Sequence, residues 1–318
     1  MDICSAGARL KRALTTRCLN DSARLDATRS EEEEVDESRK LVAIAAAGLN
    51  AAGAAGVDVA VLPESVLQAD SALVATLSRI AEAHGIYVIA PIKEADEGEA
   101  RLIYNTALVL DRQGRLVGKY RKRFPFWGFP EDPPAPTRPG GSAGACQPPP
   151  VFDTDFGRVA VLICFDVNFT ELWMHLAARG ARIVFWPSMY EAGKLISALA
   201  RVFHINIISA VPTEHAPPQM LDMAGEGLPA STYAHPDGFH VYTTEVNLQD
   251  QLIHFGELLA LLTHGSFAAA SSFLGRCANF PAAMTRHTRE KVMDNNAIAP
   301  QYIHTRTNSH LVYSKLGH

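Results

Sequence analysis

The stretch Val159-Ala-Val-Leu-Ile-Cys-Phe-Asp-Val-Asn-Phe-Thr-Glu-Leu-Trp173 does most to restrict what this chain can fold into. Five apolar residues run unbroken into Cys164. The helix-capping types Asn168 and Thr170 follow, and then a helical segment up to Gly180. A short apolar run bounded by turn signals is the pattern of a strand buried on both faces, as in a parallel α/β sheet. Asn or Thr ahead of a helix and Gly behind it are start and stop signals. Cys164 is therefore predicted on a sharp strand-to-helix turn, beside the positive end of a helix. That setting lowers a thiol's pKa and favours the nucleophilic thiolate. A lone cysteine in an apolar run is more often a structural core residue. The rest of the chain must supply a base and an anion-stabilising group before Cys164 reads as a nucleophile.

The segments around this stretch repeat a pattern. Lys40 to Ala55 is Ala-rich and helix-forming, and Val57 to Glu64 is a strand ending in Pro-Glu. A helix over 70–84 presents Leu73, Leu77 and Ile80 on one face, and Ile86 to Pro91 is another strand. Tyr104–Leu110 and Arg115–Lys122 flank Asp111-Arg-Gln-Gly114, a hairpin turn. After the Cys164 helix come a strand over Ala181–Pro187, a helix over Glu191–His204 and a strand over Ile205–Val211. A second hairpin signal stands at His235-Pro-Asp-Gly238. The order resembles two α/β halves joined by residues 123–150. That joint holds nine of the nineteen prolines, which excludes regular helix or central strand there.

Residues 1–38 look different, with little periodic apolar pattern and an acidic run from Glu31 to Glu37. They are expected to be a divergent or disordered arm, although the acidic run also suits the first turns of the next helix. The main domain is expected over residues 39–250. Residues 251–318, with a helix near 255–274 and a polar tail, form a C-terminal extension expected to pack on a partner subunit.

Composition narrows the function. A net charge of −5 leaves no electrostatic footprint for nucleic acid or an anionic membrane. No apolar run is long and clean enough for a membrane span. The five cysteines are scattered with no CxxC pair, so no disulfide framework and no zinc site are expected. A reducing, cytoplasmic setting follows. Arg9, Lys11, Arg12 and Arg17 against the single acid Asp2 leave a mitochondrial leader as the alternative. The twelve histidines form no metal-binding motif, and no glycine-rich phosphate loop occurs, so neither metal nor cofactor is expected.

Three chemically complementary residues close strand-like segments: Glu64, Lys122 and Cys164. In parallel α/β sheets, chemistry gathers at strand ends. A glutamate beside a thiol can take its proton and return it to a leaving amine. A lysine, with a backbone N–H such as that of Phe165, can stabilise a tetrahedral oxyanion. Singly, each has a bland explanation as surface or core.

Together, Leu62-Pro-Glu64, Gly118-Lys-Tyr-Arg-Lys122 and Leu162-Ile-Cys-Phe-Asp166 with Phe169-Thr-Glu171 resemble the three signature blocks of the nitrilase superfamily, the carbon–nitrogen hydrolases. Their order and separation match over roughly residues 40–250. The resemblance implies an αββα sandwich that dimerises into a four-layer αββααββα core. It implies a Glu64–Lys122–Cys164 triad acting through a thioester on a small amide, carbamoyl compound or nitrile. It implies a second glutamate after the lysine block, for which Glu131 is the candidate, and pocket residues after the next strand, at Trp186, Ser188 and Tyr190. Three departures stand out. The family's first strand has no recognisable counterpart in residues 1–38, Phe124 stands where many members have His, and Thr170 stands where they have Pro. Acyl transfer to another acceptor, and a binding-only protein, are the alternatives to hydrolysis.

Overall fold

The computed structural model describes residues 10–16, 31–64, 67–68, 71–95, 103–124, 126, 148–211, 217–234, 239–248, 251–254 and 302–305. The chain divides into two units, one of Leu10–Val246 and one of Met1–Arg9 with Asn247–His318. In the second, the described elements are an antiparallel pair of short strands, Gln251–His254 and Tyr302–Thr305. The predicted helix near 255–274 lies outside the described residues.

The larger unit is built on two sheets. The first contains β1 (Leu10–Thr16), β2 (Val59–Val61), β3 (Leu67–Gln68), β4 (Tyr87–Ala95), β5 (Ile103–Leu110) and β6 (Leu116–Arg121). It is completed by two later strands, Ala230–Ala234 and His240–Val246, beside β1, and β3 pairs with β4. The second sheet contains β7 (Val151–Thr154), β8 (Gly157–Val161), β9 (Ile183–Pro187) and β10 (Asn206–Ala210), with Met220–Leu221 at its edge.

Helices α1 (Glu31–Ala54) and α2 (Ser71–His84) share an apolar cluster with the first sheet. Leu49, Leu73 and Leu77 meet Ala60, Leu62, Val88, Ala90, Leu108 and Leu110 there. Strand side chains alternate between faces, so Val59, Val61, Ile89 and Val109, also buried, point away from that cluster. They face the second sheet. The two sheets come close enough that a Cβ at Gly118 would meet Phe152 Cε1 at 2.7 Å, which only glycine avoids. Tyr87 and Phe156 meet edge to face at 5.2 Å between the sheets. On the outer side of the second sheet lie α3 (Thr170–Ala178) and α4 (Lys194–Phe203), which bury Trp173, Leu176, Ile196 and Leu199. The layers are helix, sheet, sheet, helix, as expected.

The β5–β6 hairpin turns where its sequence predicts: Gly114 has φ +70° and its N–H donates to the Asp111 carbonyl at 2.9 Å. From that turn Arg112 reaches both Asp155 (2.6 Å) and Asp58 (2.8 Å), tying the sheets together at this end of β5. The other end of β5 carries Asn105 and is free for the site.

The N-terminal region departs from expectation. Residues 1–38 do contain a strand, and it is central. β1 runs parallel to β2 (Ala13 opposite Val59) and antiparallel to His240–Val246 (Thr15 opposite Tyr242). The compact unit therefore begins at Leu10, not near residue 39, and the acidic run from Glu31 opens α1. Leu10-Lys-Arg-Ala-Leu-Thr-Thr16 lacks the continuous apolar run that normally marks a buried parallel strand, so its role is set by the ladders on both sides. Proline has no N–H to give to either ladder. Leu14→Pro is expected to abolish the folded state, and Leu14→Ile to preserve it. Circular dichroism and soluble yield of both variants check this, and a folded Leu14→Pro protein would show that β1 is dispensable.

Candidate active site

Three strand ends converge. Beyond β2, Leu62 donates to the Ile89 carbonyl (3.0 Å), prolonging the pairing and carrying the chain to Glu64, which is 3% exposed. Beyond β6, the Lys122 amide donates to the Asn105 carbonyl (2.8 Å), and Lys122 is buried as well. Beyond β8, Leu162 donates to the Phe185 carbonyl (3.1 Å) before the chain turns at Cys164.

That turn is strained. Cys164 has φ +48°, a region non-glycine residues seldom adopt, and it opens a one-turn 3₁₀ helix, Cys164–Asn168, ahead of α3. Neighbouring groups hold the conformation. The fully buried Trp186 donates its indole N–H to the Cys164 carbonyl (2.9 Å). Asn168 donates to the Phe165 carbonyl (3.0 Å) and Trp173 to the Val167 carbonyl (3.2 Å).

The side chains at the convergence form a charged cluster in an apolar surround. Lys122 Nζ and Asn105 Nδ2 both donate to Glu64 Oε1, each at 2.8 Å. The second carboxylate oxygen, Oε2, is buried and accepts no hydrogen bond. Cys164 lies beside this carboxylate. Burial pushes its thiol up to about 12 and the Glu64 charge adds to the rise, while Lys122 and the Met189 amide pull the other way. This corrects the expectation of a thiol lowered by a helix start: the resting sulfur is protonated, because it is buried and faces an anion. The arrangement is a thiol, an adjacent carboxylate with one uncommitted oxygen, and an ammonium at hydrogen-bonding distance from the other oxygen.

Of the remaining candidates, Tyr190 is near the cluster. Its phenol is raised, first by burial, with Cys164, Glu64 and Lys122 among the charges it senses, and its hydroxyl accepts from Asn168 (3.3 Å). Phe165 is half-buried and meets Phe126 (5.3 Å) and Phe169 (5.7 Å) edge to face. Trp186 and Ser188 are fully buried and hold main chain in place. Ser188 Oγ donates to the Tyr190 carbonyl (2.8 Å) and accepts its amide (3.1 Å). They support the nucleophile turn from behind. Glu131 lies outside the described residues. Phe124 stacks on Phe169 at 3.4 Å, and Thr170 opens α3. Among the described residues, no group of His, Cys, Asp or Glu gathers as metal ligands would, and no helix is long and apolar enough to cross a membrane.

Sequence reasoning missed Asn105, Asp166 and Met189. Asn105 and Asp166 do carry a signal, as polar residues next to otherwise apolar strand sequence. Asp166 is fully buried and accepts from the Tyr120 hydroxyl (2.8 Å) and from the amides of Ile163 (3.0 Å), Phe124 (2.9 Å) and Arg123 (3.2 Å). Burial raises its carboxyl to about 6, against the Tyr120, Phe124 and Ile163 hydrogen bonds and the Lys122 charge.

Comparison with known proteins gives a consistent picture. The family model for carbon–nitrogen hydrolases matches residues 30–206. A beta-ureidopropionase from Arabidopsis thaliana is 30% identical over 177 residues, which is 52% of this chain and 40% of that protein. An omega-amidase from Xenopus laevis is 34% identical over 124 residues, 36% of this chain and 41% of that protein. The chain thus spans about two fifths of the length of these relatives. An amidase from Nesterenkonia sp. has the same fold, with a TM-score of 0.57 at 20% identity, covering 82% of this chain and 99% of that one.

The Glu64 charge is the second cause of the high thiol pKa, so neutralising it has a definite sign. Glu64→Gln is expected to lower the Cys164 pKa from about 12. The thiolate ultraviolet absorbance titrated with pH, taken as the difference from Cys164→Ala, checks this. An unchanged or higher value would show that the carboxylate does not sense the thiol.

Proposed function

The chain belongs to the carbon–nitrogen hydrolase family, and from that premise we propose that it cleaves the carbon–nitrogen bond of a small, non-peptide amide or carbamoyl compound. The observation that carries this reading is the buried Lys122–Glu64 pair, whose free Oε2 lies beside the Cys164 thiol. Such a pair contributes little to stability for its desolvation cost, and its one uncommitted oxygen is where a base is needed.

The steps follow from the groups present. Cys164 Sγ attacks the substrate carbonyl carbon as Glu64 Oε2 takes the thiol proton. A preformed thiolate is not needed, which suits a thiol held protonated at rest. The carbonyl oxygen becomes an oxyanion, stabilised by the Lys122 ammonium and the Phe165 amide. A donor in that role is typically worth about 2.7–4 kcal/mol in the transition state. The intermediate collapses, the C–N bond breaks, and Glu64 returns its proton to the nitrogen, which leaves as ammonia or an amine. A thioester remains on Cys164. Glu64 then takes a proton from water as the water oxygen attacks the thioester. Collapse releases the carboxylic acid and gives the proton back to sulfur. Atoms and charge balance over the cycle.

The names of similar proteins support the substrate class. Relatives include a beta-ureidopropionase and omega-amidases, and the Nesterenkonia amidase has been seen with the acetamide moiety of fluoroacetamide added covalently at its active-site cysteine. Small size of the substrate fits a nucleophile that is only 7% exposed. By the same reasoning the protein is expected to be a homodimer, and Glu131 is kept as the second glutamate.

The test is direct. Incubation with a panel of small amides, carbamoyl compounds and nitriles is expected to release ammonia from the first two classes, and Cys164→Ala to bring release down to the uncatalysed background while staying folded. Ammonia release that survives Cys164→Ala would overturn the reading.

A further inference from the structure

We propose that Asp166 is a positioning residue that sets the register of Cys164 against Lys122, an inference that rests on the triad reading above. The observation is one carboxylate shared between the two strand ends that carry those residues. Its Oδ2 accepts the Ile163 amide (3.0 Å), immediately before Cys164, and the Tyr120 hydroxyl (2.8 Å), from β6. Its Oδ1 accepts the amides of Phe124 (2.9 Å) and Arg123 (3.2 Å), immediately after Lys122.

The cysteine and the lysine belong to different sheets. Where the sheets pack, the contact is mainly apolar, and apolar burial is non-directional. It holds layers together but does not fix two strand ends to fractions of an ångström. Hydrogen bonds with defined geometry do. An apolar side chain at 166 would leave buried amides on both strand ends without acceptors, at roughly 1–3 kcal/mol each. Nor is Asp166 part of the chemistry itself: both its oxygens are committed to main chain or to Tyr120, and it is 0% exposed. It acts through its neighbours.

Replacing Asp166 by Asn keeps an oxygen for Phe124 and Arg123 but turns an NH₂ group on the Ile163 amide, a donor against a donor. The lysine side stays pinned and the cysteine side is released. Tyr120→Phe removes a single donor and leaves three. Misplacement of about 1 Å at a reacting centre can cost about 100-fold in rate, so the two substitutions should differ in size and agree in direction.

The experiment measures three quantities on purified wild type, Asp166→Asn and Tyr120→Phe. They are kcat and KM for the best amide, the rate of iodoacetamide alkylation at Cys164 read by peptide mass, and the folded fraction. For Asp166→Asn the expected result is a kcat about 10–100-fold lower per folded molecule, an unchanged KM, and alkylation slowed in parallel. Tyr120→Phe should show a smaller loss with the same split. A purely structural role would reduce the folded fraction and leave the surviving molecules at wild-type kcat and alkylation rate, and that result overturns the proposal. If Asp166→Asn does not fold, Tyr120→Phe decides by the same criteria. If wild type turns over no amide, the hydrolase reading fails separately, and the alkylation rates still decide the role of Asp166.

Discussion

A lysine and a glutamate, each almost fully withdrawn from solvent, meet at 2.8 Å at the ends of two strands. Removing two charges from water costs several kcal/mol per ion, and their attraction repays this only with good geometry and further hydrogen bonds. Here the repayment is incomplete by design of the fold. Glu64 Oε1 receives two donors and Oε2 receives none. The pair is therefore a poor choice for stability and a good one for moving a proton. The neutral, buried thiol next to it is in the protonation state that a carboxylate base requires.

The surrounding structure reads as the means of holding that cluster. Asn105 serves both partners, its side chain on Glu64 and its carbonyl on the Lys122 amide. Trp186 holds the Cys164 carbonyl and the Met189 amide faces the sulfur, both from the end of β9. Left-handed backbone at a non-glycine residue costs of order 1–3 kcal/mol and persists only where neighbours over-determine it. The groups that over-determine Cys164 come from the 3₁₀ helix, β9 and, through Asp166, β6.

Much of this was legible in the sequence because strong local signals marked it. The apolar run into Cys164 placed β8, Gly114 and Gly157 placed two hairpins, and three chemically complementary residues stood at strand ends. What escaped was set by long-range pairing or by environment. β1 carries Lys11 and Arg12 and becomes a central strand through its neighbours' ladders, a property no window of its own sequence displays. The direction of the Cys164 shift was misjudged because a helix start is visible in sequence, whereas full burial against a glutamate a hundred residues earlier is not. Asp166 and Asn105 were passed over because one polar residue in an apolar segment does not say what it will bond. Trp186 and Ser188 were placed correctly along the chain, but their side chains turn onto main chain.

The central claim is that the buried Glu64–Lys122 pair is kept for its action on Cys164 and not for the stability of the fold. The most direct measurement compares the denaturation free energy and the amide turnover of wild type with those of the double variant Glu64→Gln, Lys122→Met, which removes both charges while keeping similar volumes. Replacing both members of a buried pair is often neutral or stabilising by about 1–4 kcal/mol, whereas removing one alone costs about 3–5 kcal/mol. The account predicts a double variant at least as stable as wild type with no turnover. A double variant that is several kcal/mol less stable yet still cleaves amide would contradict it.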